Sequence, residues 1–166
     1  MPRRNGSSGG GTPAVVALAA AGVPYTLHPY EHAPDAPSYG AEAADALGLS
    51  PDEVVKTLVV RVDGRLVSAA VPVSGNLDLK ALAAAASGKK AAMADPADAE
   101  RATGYVVGGI SLLGQRSRMP LFLDDSVLTL DAVYLSAGRR GLQVRVAPAD
   151  LVRVSGARTA PLGRPA

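Results

Sequence analysis

The sequence predicts an α+β fold: a mixed, mostly antiparallel sheet curling into a partly closed barrel, with helices around it. Three observations predict this. Strand and helix signals follow one another without regular βαβ alternation, which argues against a doubly wound parallel sheet. Asp63-Gly64 sits between two valine-rich runs and reads as a hairpin turn. The remaining strand candidates are short and numerous for one core, and such a sheet can close partly on itself.

Taken in order, Thr12-Pro13 has the residues of a helix start, an N-cap followed by proline at the first helical position. The helix runs from Ala14 to Ala21 and stops at Gly22. Pro24 to Glu31 reads as extended, with His28 and Tyr30 on one face, and His32 to Ser38 as a loop. A second helix covers Tyr39 to Leu47, closed by Gly48. Ser50-Pro51-Asp52-Glu53 has capping-box residues but room for only one turn before Val54 to Val62. After the hairpin, the partner strand runs from Leu66 to Val73, with Pro72 at its end.

Ser74-Gly75-Asn76 reads as a loop, Asp78 to Ala86 as a helix and Lys89 to Ala94 as a short strand. Asp95-Pro96 starts a helix that ends at Gly104. Tyr105 to Val107 reads as a short strand breaking into the glycine-rich loop Gly108 to Gly114. Strands at Pro120 to Leu123, Val133 to Ser136 and Leu142 to Val146 follow, then a last helix from Pro148 to Val154. One domain is expected over residues 12–158, with a disordered leader at 1–11 and a loose tail at 159–166.

Composition narrows the chemistry. The chain has 166 residues, 48% hydrophobic and 19% charged, and no cysteine or tryptophan. A disulfide scaffold, a thiolate metal site and a cysteine nucleophile are therefore excluded. With only His28 and His32 available, a structural zinc site is not expected, and neither histidine has an evident partner in sequence. A net charge of +2 is compatible with an RNA or nucleotide ligand without requiring one. A general nucleic-acid binder would carry a basic stripe with interleaved aromatics. No apolar run reaches the ~20 residues of a membrane span. Without a signal-like leader, the expected location is cytoplasmic.

Two stretches stand out. In Val54–Val62 the alternation of a strand puts Lys56 on one face with Leu58, Val60 and Val62. An ammonium there must reach water, pair with an acid or meet a polar ligand, because burying it alone is costly. On this strand alone, a packed stem with a wet head is the simpler account. In Gly108–Gly114 the glycines let backbone come close to a ligand and present N–H groups to a carbonyl, oxyanion or phosphate. The stretch matches neither a Walker loop nor a dinucleotide fingerprint. A tight connection that needs glycine for its dihedral angles is the alternative. Arg139 and Arg140 could bind phosphate, although an exposed arginine-rich hairpin tip is the commoner situation.

Several segments together resemble the YbaK-type aminoacyl-tRNA deacylases, the prolyl-tRNA synthetase-associated editing domains. They are Thr12-Pro13-Ala14, Tyr30-Glu31-His32, Val55-Lys56-Thr57-Leu58, Gly75 to Lys80 and Ala92 to Pro96. Thr103 to Ser111 with Leu113-Gly114-Gln115, and Tyr134-Leu135-Ser136 with Gly138 to Leu142, complete the set. Each is weak alone; their order and spacing across roughly residues 12–156 make the resemblance specific.

The resemblance implies a trans-editing hydrolase that cleaves the ester of a mischarged tRNA(Pro), Cys-tRNA(Pro) first. No cofactor is implied. Binding alone separates small side chains by only about 1–3 kcal/mol, which is why a second sieve is useful. The family's catalytic positions fall on Lys56, Gly108, Gly109, Ile110 and Ser111, and its substrate-binding positions on Tyr30, Tyr39, Thr57 and Gln143. The implied mechanism uses no protein nucleophile: the thiol of the cysteinyl group attacks its own ester, or in other members a positioned water does. Prolyl-tRNA synthetase is the implied partner besides tRNA(Pro). Two positions depart from the pattern. Leu112 stands where the family's loop reads proline, and Gln143 where several relatives carry aspartate. They leave open an Ala-tRNA(Pro) deacylase, or a module that binds aminoacyl-tRNA or the synthetase without turnover.

Overall fold

In the computed structural model, residues 11–33 and 38–165 are described. Five helices, α1 (Pro13–Ala21), α2 (Tyr39–Leu47), α3 (Leu79–Ala85), α4 (Pro96–Thr103) and α5 (Pro148–Ser155), surround ten strands. The strands are β1 (Thr26–Pro29), β2 (Val55–Val62), β3 (Arg65–Pro72), β4 (Gly75–Leu77), β5 (Ala91–Met93), β6 (Leu121–Asp124), β7 (Val133–Arg139), β8 (Leu142–Val146), β9 (Arg158–Ala160) and β10 (Gly163–Pro165). The fold is therefore α+β with mixed sheets. The strand order is β5-β2-β3-β6-β9 in the largest sheet, β1-β8-β7 in the second and β10-β4 in the third. Among the strand ladders of the described residues, β3–β6 and β6–β9 are the parallel ones. Among the described residues no ladder closes these strands into a ring. Among the described residues the backbones of the two larger sheets are joined by one isolated parallel bridge, Val54 to Tyr134, reinforced by the Tyr134 amide donating to Glu53 O at 2.8 Å.

The local signals explain the elements. Thr12 Oγ1 accepts from the Val15 amide at 3.3 Å, and Gly22 closes α1 in the left-handed conformation. The Ser50 amide donates to Glu53 Oε1 at 3.1 Å, so the capping box holds one turn and hands over to β2. Asp63 and Gly64 both have positive φ, 49° and 84°, the twist of a type I′ turn that suits a two-residue hairpin. The Asp63 carboxylate also accepts from the Lys89 and Lys90 amides. The loop into β5 is thereby docked beside the turn.

Alternation along β2 sends its two faces to different clusters. Val55 and Val59 join Leu123, Leu135, Val144 and Leu18 in the main core. Val60 and Val62 pack with Phe122, Leu82 and Leu162 in a second. Lys56 belongs to this second face but lies at the strand's beginning, in register with Val71 near the end of β3.

Three expectations need correction. Ser74-Gly75-Asn76 is not a plain loop, because Gly75–Leu77 is β4 and pairs with β10. Tyr105–Val107 is not a strand. Its tyrosine anchors a loop: the ring is buried, its hydroxyl donates to Leu113 O at 2.7 Å, and burial pushes the phenol up to about 12. Residues 159–165 of the expected tail do not trail loosely: β9 extends the large sheet and β10 pairs with β4, and residue 166 lies outside the described residues. Of the expected leader, only Gly11 falls within the described residues, as do both ends of the loop from His32 to Ser38. Among the described residues no helix is long and apolar enough to cross a membrane.

Candidate active site

The topology leaves a gap at the start of β2. One edge of this strand pairs with β3 along its whole length. The other pairs with β5 only at Val60–Val62 and meets β7 only through the Val54 bridge. Between these pairings, among the described residues, no strand forms a ladder with this edge of Val55 to Leu58. A cavity of about 240 Å³ occupies this gap. Val55, Lys56, Thr57 and Leu58 form one wall, and Gly108 and Ile110 form another. Ser136 and Gln143 contribute from β7 and β8, and the first turn of α2 closes it with Ser38, Tyr39 and Gly40.

Six of the nine residues singled out in the sequence thus meet in one place: Lys56, Thr57, Tyr39, Gly108, Ile110 and Gln143. Lys56 is half-buried, and among the described residues it makes no ion pair. Gly40 explains the close seating of α2 beside it. A Cβ at Gly40 would fall 2.4 Å from Val73 Cγ1 and 3.8 Å from Lys56 Cβ. Thr57 Oγ1 and Gln143 Oε1 are buried with no hydrogen-bond partner among the described residues. An unpaired buried oxygen costs roughly 1–3 kcal/mol, so both atoms are poised for a group that the protein itself does not supply. Gln143 is only 6% exposed.

The glycine-rich loop divides into parts that face the cavity and parts that hold it. The amides of Gly108 and Ile110 have no hydrogen-bond partner among the described residues. Gly109 and Ser111 do not line the cavity. The Gly109 amide donates to Val106 O at 2.8 Å, and its carbonyl accepts from Ser136 Oγ at 2.9 Å. Ser111 is fully buried, with its hydroxyl accepting from the Leu113 amide at 3.2 Å. Its side chain shapes the loop. Leu112 is also buried, at 1% exposure, so the departure from proline is absorbed as core packing.

Tyr30 sits beside the cavity, not in its lining. Its amide donates to Gly141 O at 2.9 Å. Burial pushes its phenol up, with the Gly141 backbone and the Gln143 side chain working the other way. Neither histidine lines the cavity. His32 Nδ1 lies 2.7 Å from Glu42 Oε1. Hydrogen bonds from His32 and the Ala33 amide hold the Glu42 carboxyl below its usual range. His28 stacks edge-on against Tyr134 with ring centroids 5.3 Å apart. Burial, then Arg145, pushes its imidazole down, away from the charged form.

Ser136 lines the cavity and Arg140 lies outside its lining, and neither placement is legible in the sequence. Ser136 looked like an ordinary strand residue; its hydroxyl also accepts from the Gly138 amide at 3.0 Å, which ties loop to hairpin. Arg140, which in the sequence reads as a phosphate ligand or an exposed hairpin tip, donates from its Nε to Val107 O at 2.8 Å. Its guanidinium carbon lies 4.9 Å from the centroid of the Tyr39 ring.

Gly108 is tightly constrained against the Tyr39 ring. Its φ is +90°, and an added Cβ would fall 2.8 Å from three atoms of the Tyr39 ring. Gly108→Ala should therefore displace both ring and loop. Sub-ångström misplacement at a reacting centre is costly, and about a hundredfold loss of kcat/KM is expected. Turnover measured beside a thermal melt checks this: wild-type turnover in the folded variant would show that loop and ring need not sit so close.

Lys56, Gly108 and Ile110 line one cavity, and among the described residues no histidine lines it. The cavity can therefore position and polarise a carbonyl, but no lining histidine can activate a hydroxyl in it. Comparison with known proteins places the chain in a family. Residues 33–154 match the model of the aminoacyl-tRNA editing domain. A protein of Enterococcus faecalis, EbsC, provisionally named as a Cys-tRNA(Pro)/Cys-tRNA(Cys) deacylase, is 36% identical over 136 residues, 80% of this chain and 81% of that protein. The crystal structure of hypothetical protein APE2540 superposes with a TM-score of 0.79 at 28% identity, covering 89% of this chain and 96% of that one. A structure provisionally described as a trans-editing enzyme for prolyl-tRNA synthetase shares the fold, with a TM-score of 0.80 at 24% identity over 92% and 95% of the two chains. On the match over residues 33–154 and the 36% identity, the chain belongs to the aminoacyl-tRNA editing domain family, and with it to the aminoacyl-tRNA deacylases.

Proposed function

We propose that the chain removes cysteine from mischarged tRNA(Pro) by holding the ester while the substrate's own thiol attacks it. One observation carries this reading: among the described residues, Lys56 shares a cavity of about 240 Å³ with Gly108 and Ile110, whose amides have no hydrogen-bond partner, and no histidine lines it. The volume suits a small acyl group rather than a large one. In this reading the Gly108 and Ile110 amides accept the charge that develops on the ester oxygen. Lys56 orients the ammonium-bearing end or the ribose-phosphate, and Thr57 and Gln143 take up donors of the substrate. Tyr30 and Tyr39 flank the acyl group, while Gly109 and Ser111 act by shaping the loop. The sulfur attacks the carbonyl carbon, the bond to the ribose oxygen breaks, and that oxygen takes up the proton given up by the thiol. Prolyl-tRNA synthetase fits as the protein that delivers the substrate.

A second reading is deacylation of Ala-tRNA(Pro) by a bound water. It is favoured by Thr57 Oγ1 and Gln143 Oε1, since a water in such a site needs 2–4 polar partners. A panel of cysteinyl, S-methylcysteinyl, alanyl and seryl esters on tRNA(Pro) separates the two. Cysteine is expected to turn over at least about tenfold faster than the others, with the S-methyl ester inert. Equal rates for the cysteinyl and S-methyl esters would rule out attack by the thiol, and hydrolysis confined to the alanyl ester would establish the water route. A protein inert towards every ester would overturn both.

A further inference from the structure

We propose that Arg140 is a positioning residue that sets the aperture of the cavity by holding the Tyr39 ring. The inference rests on the editing reading above and adds a determinant of its size limit. Arg139 and Arg140 are adjacent at the β7–β8 tip and both exposed, yet they differ in what they touch. The Arg139 side chain reaches only the carbonyl of its neighbour, at 3.4 Å. Arg140 is fixed at two points. Its Nε donates to Val107 O at 2.8 Å, in the residue before Gly108. Its guanidinium lies over the Tyr39 ring at 4.9 Å, within the range of a cation–π contact.

Each partner of Arg140 belongs to a different wall. Val107 opens the glycine-rich loop, and Tyr39 is the first residue of α2 and lines the cavity. The tip itself is pressed on the loop: a Cβ at Gly109 would meet the Arg139 and Arg140 backbone at 2.8–2.9 Å. Gly138, with φ 110°, and Gly141, with φ 85°, together with the register shift between Ser136 and Arg139, bend the hairpin into this contact. The planar guanidinium can hold a carbonyl and a ring at once, a geometry an ammonium does not reproduce. With Arg140 in place, Tyr39 is kept over Gly108 and the space beside Lys56 stays narrow. Without it, the ring is free to swing on its own side-chain torsions and larger acyl groups gain entry.

The test compares a small acyl ester with the bulkier prolyl ester, both on tRNA(Pro), in wild type, Arg140→Ala, Arg140→Lys, Tyr39→Ala and the double variant Tyr39→Ala/Arg140→Ala. Arg140→Ala is expected to keep turnover of the small ester within about threefold. It should raise that of the prolyl ester about tenfold, the scale of one methylene group in a selective pocket. Arg140→Lys should recover part of the ratio, and in the Tyr39→Ala background the Arg140 substitution should change nothing further. An unchanged ratio in folded Arg140→Ala would overturn the proposal, as would an equal effect with and without the Tyr39 ring. If the wild type hydrolyses no ester, the editing reading fails by itself. The clamp is then read from the NMR signals of the Tyr39 ring, which should move in Arg140→Ala while the other four tyrosines hold; a Tyr39 signal that stays put would end the idea. If Arg140→Ala fails to fold, Arg140→Lys and Arg140→Gln carry the same measurements, and two folded variants with the wild-type ratio would overturn it.

Discussion

Lys56→Ala is expected to lower kcat/KM for the preferred aminoacyl-tRNA by about 10²–10³, the scale of removing one preorganised donor from a developing charge. The melting temperature should hardly change. The reason for this split lies in β2. Val55 and Val59 hold the strand to the main core and Val60 and Val62 hold it to the second, all of them buried. Lys56 is half-buried at the gap, where neither β5 nor β7 pairs with the strand, and its ammonium makes no ion pair among the described residues. Truncation therefore removes function without opening a core cavity. Lys56→Met keeps the stem and deletes the charge, and it should lose activity as fully as alanine. Full turnover in either variant would remove Lys56 from the mechanism. A large drop in melting temperature would instead return it to the role of a packed stem.

Sequence reasoning found the wall and the loop of the site but not what joins them. Lys56 was visible because a charge in a β-branched run is anomalous, and Gly108–Gly114 because glycine clusters are. The hairpin at Asp63-Gly64, the cap at Thr12 and the capping box at Ser50 to Glu53 follow from short-range chemistry, and all are present. Pairings between distant segments leave no such trace. Nothing in Ser136 announces a hydrogen bond to a carbonyl 27 residues away. Nothing in Arg140 announces a ring 101 positions earlier in the chain, since an arginine at a turn reads as solvated until its partner is known. The Tyr105–Val107 strand was misread for a related reason. A β-branched pair after an aromatic looks extended, but the Glu100 carboxylate accepts the Val107 amide at 2.8 Å and holds the segment as a loop. The C-terminal strands were missed because three residues are too few to show a periodicity, and β10 also carries glycine and proline; they form because β6 and β4 offer them edges.

Those late strands lead to the largest expected effect on stability. Leu162→Ala should destabilise the fold by about 3 kcal/mol, lowering the melting temperature by roughly 6–12 °C in a chain of this size. Leu162 is fully buried among Phe122, Leu82 and Leu77. It is held there by Asp124, at the end of β6. The Asp124 carboxylate accepts the Leu162 and Gly163 amides at 2.7 and 2.9 Å and is also bonded to the Ser126 hydroxyl. Burial acts to raise its pKa, but the Ser126 hydroxyl and the amides of Leu162, Gly163 and Ser126 outweigh it and hold the carboxyl below its usual value. A carboxyl depressed in the folded state stabilises the protein above its unfolded pKa, near 4, and that contribution is lost as pH falls through the folded value. Asp124→Ala leaves two amides without their acceptor and should cost about 2–3 kcal/mol at neutral pH. Asp124→Asn should be less stable than wild type at pH 7, with the gap closing in strongly acidic buffer. Because Asp124 seats the segment that carries Leu162, the two alanine substitutions should not add: the double variant should lose less than the sum of the singles. Strict additivity across the cycle would show that Leu162 reaches the core without help from the carboxylate.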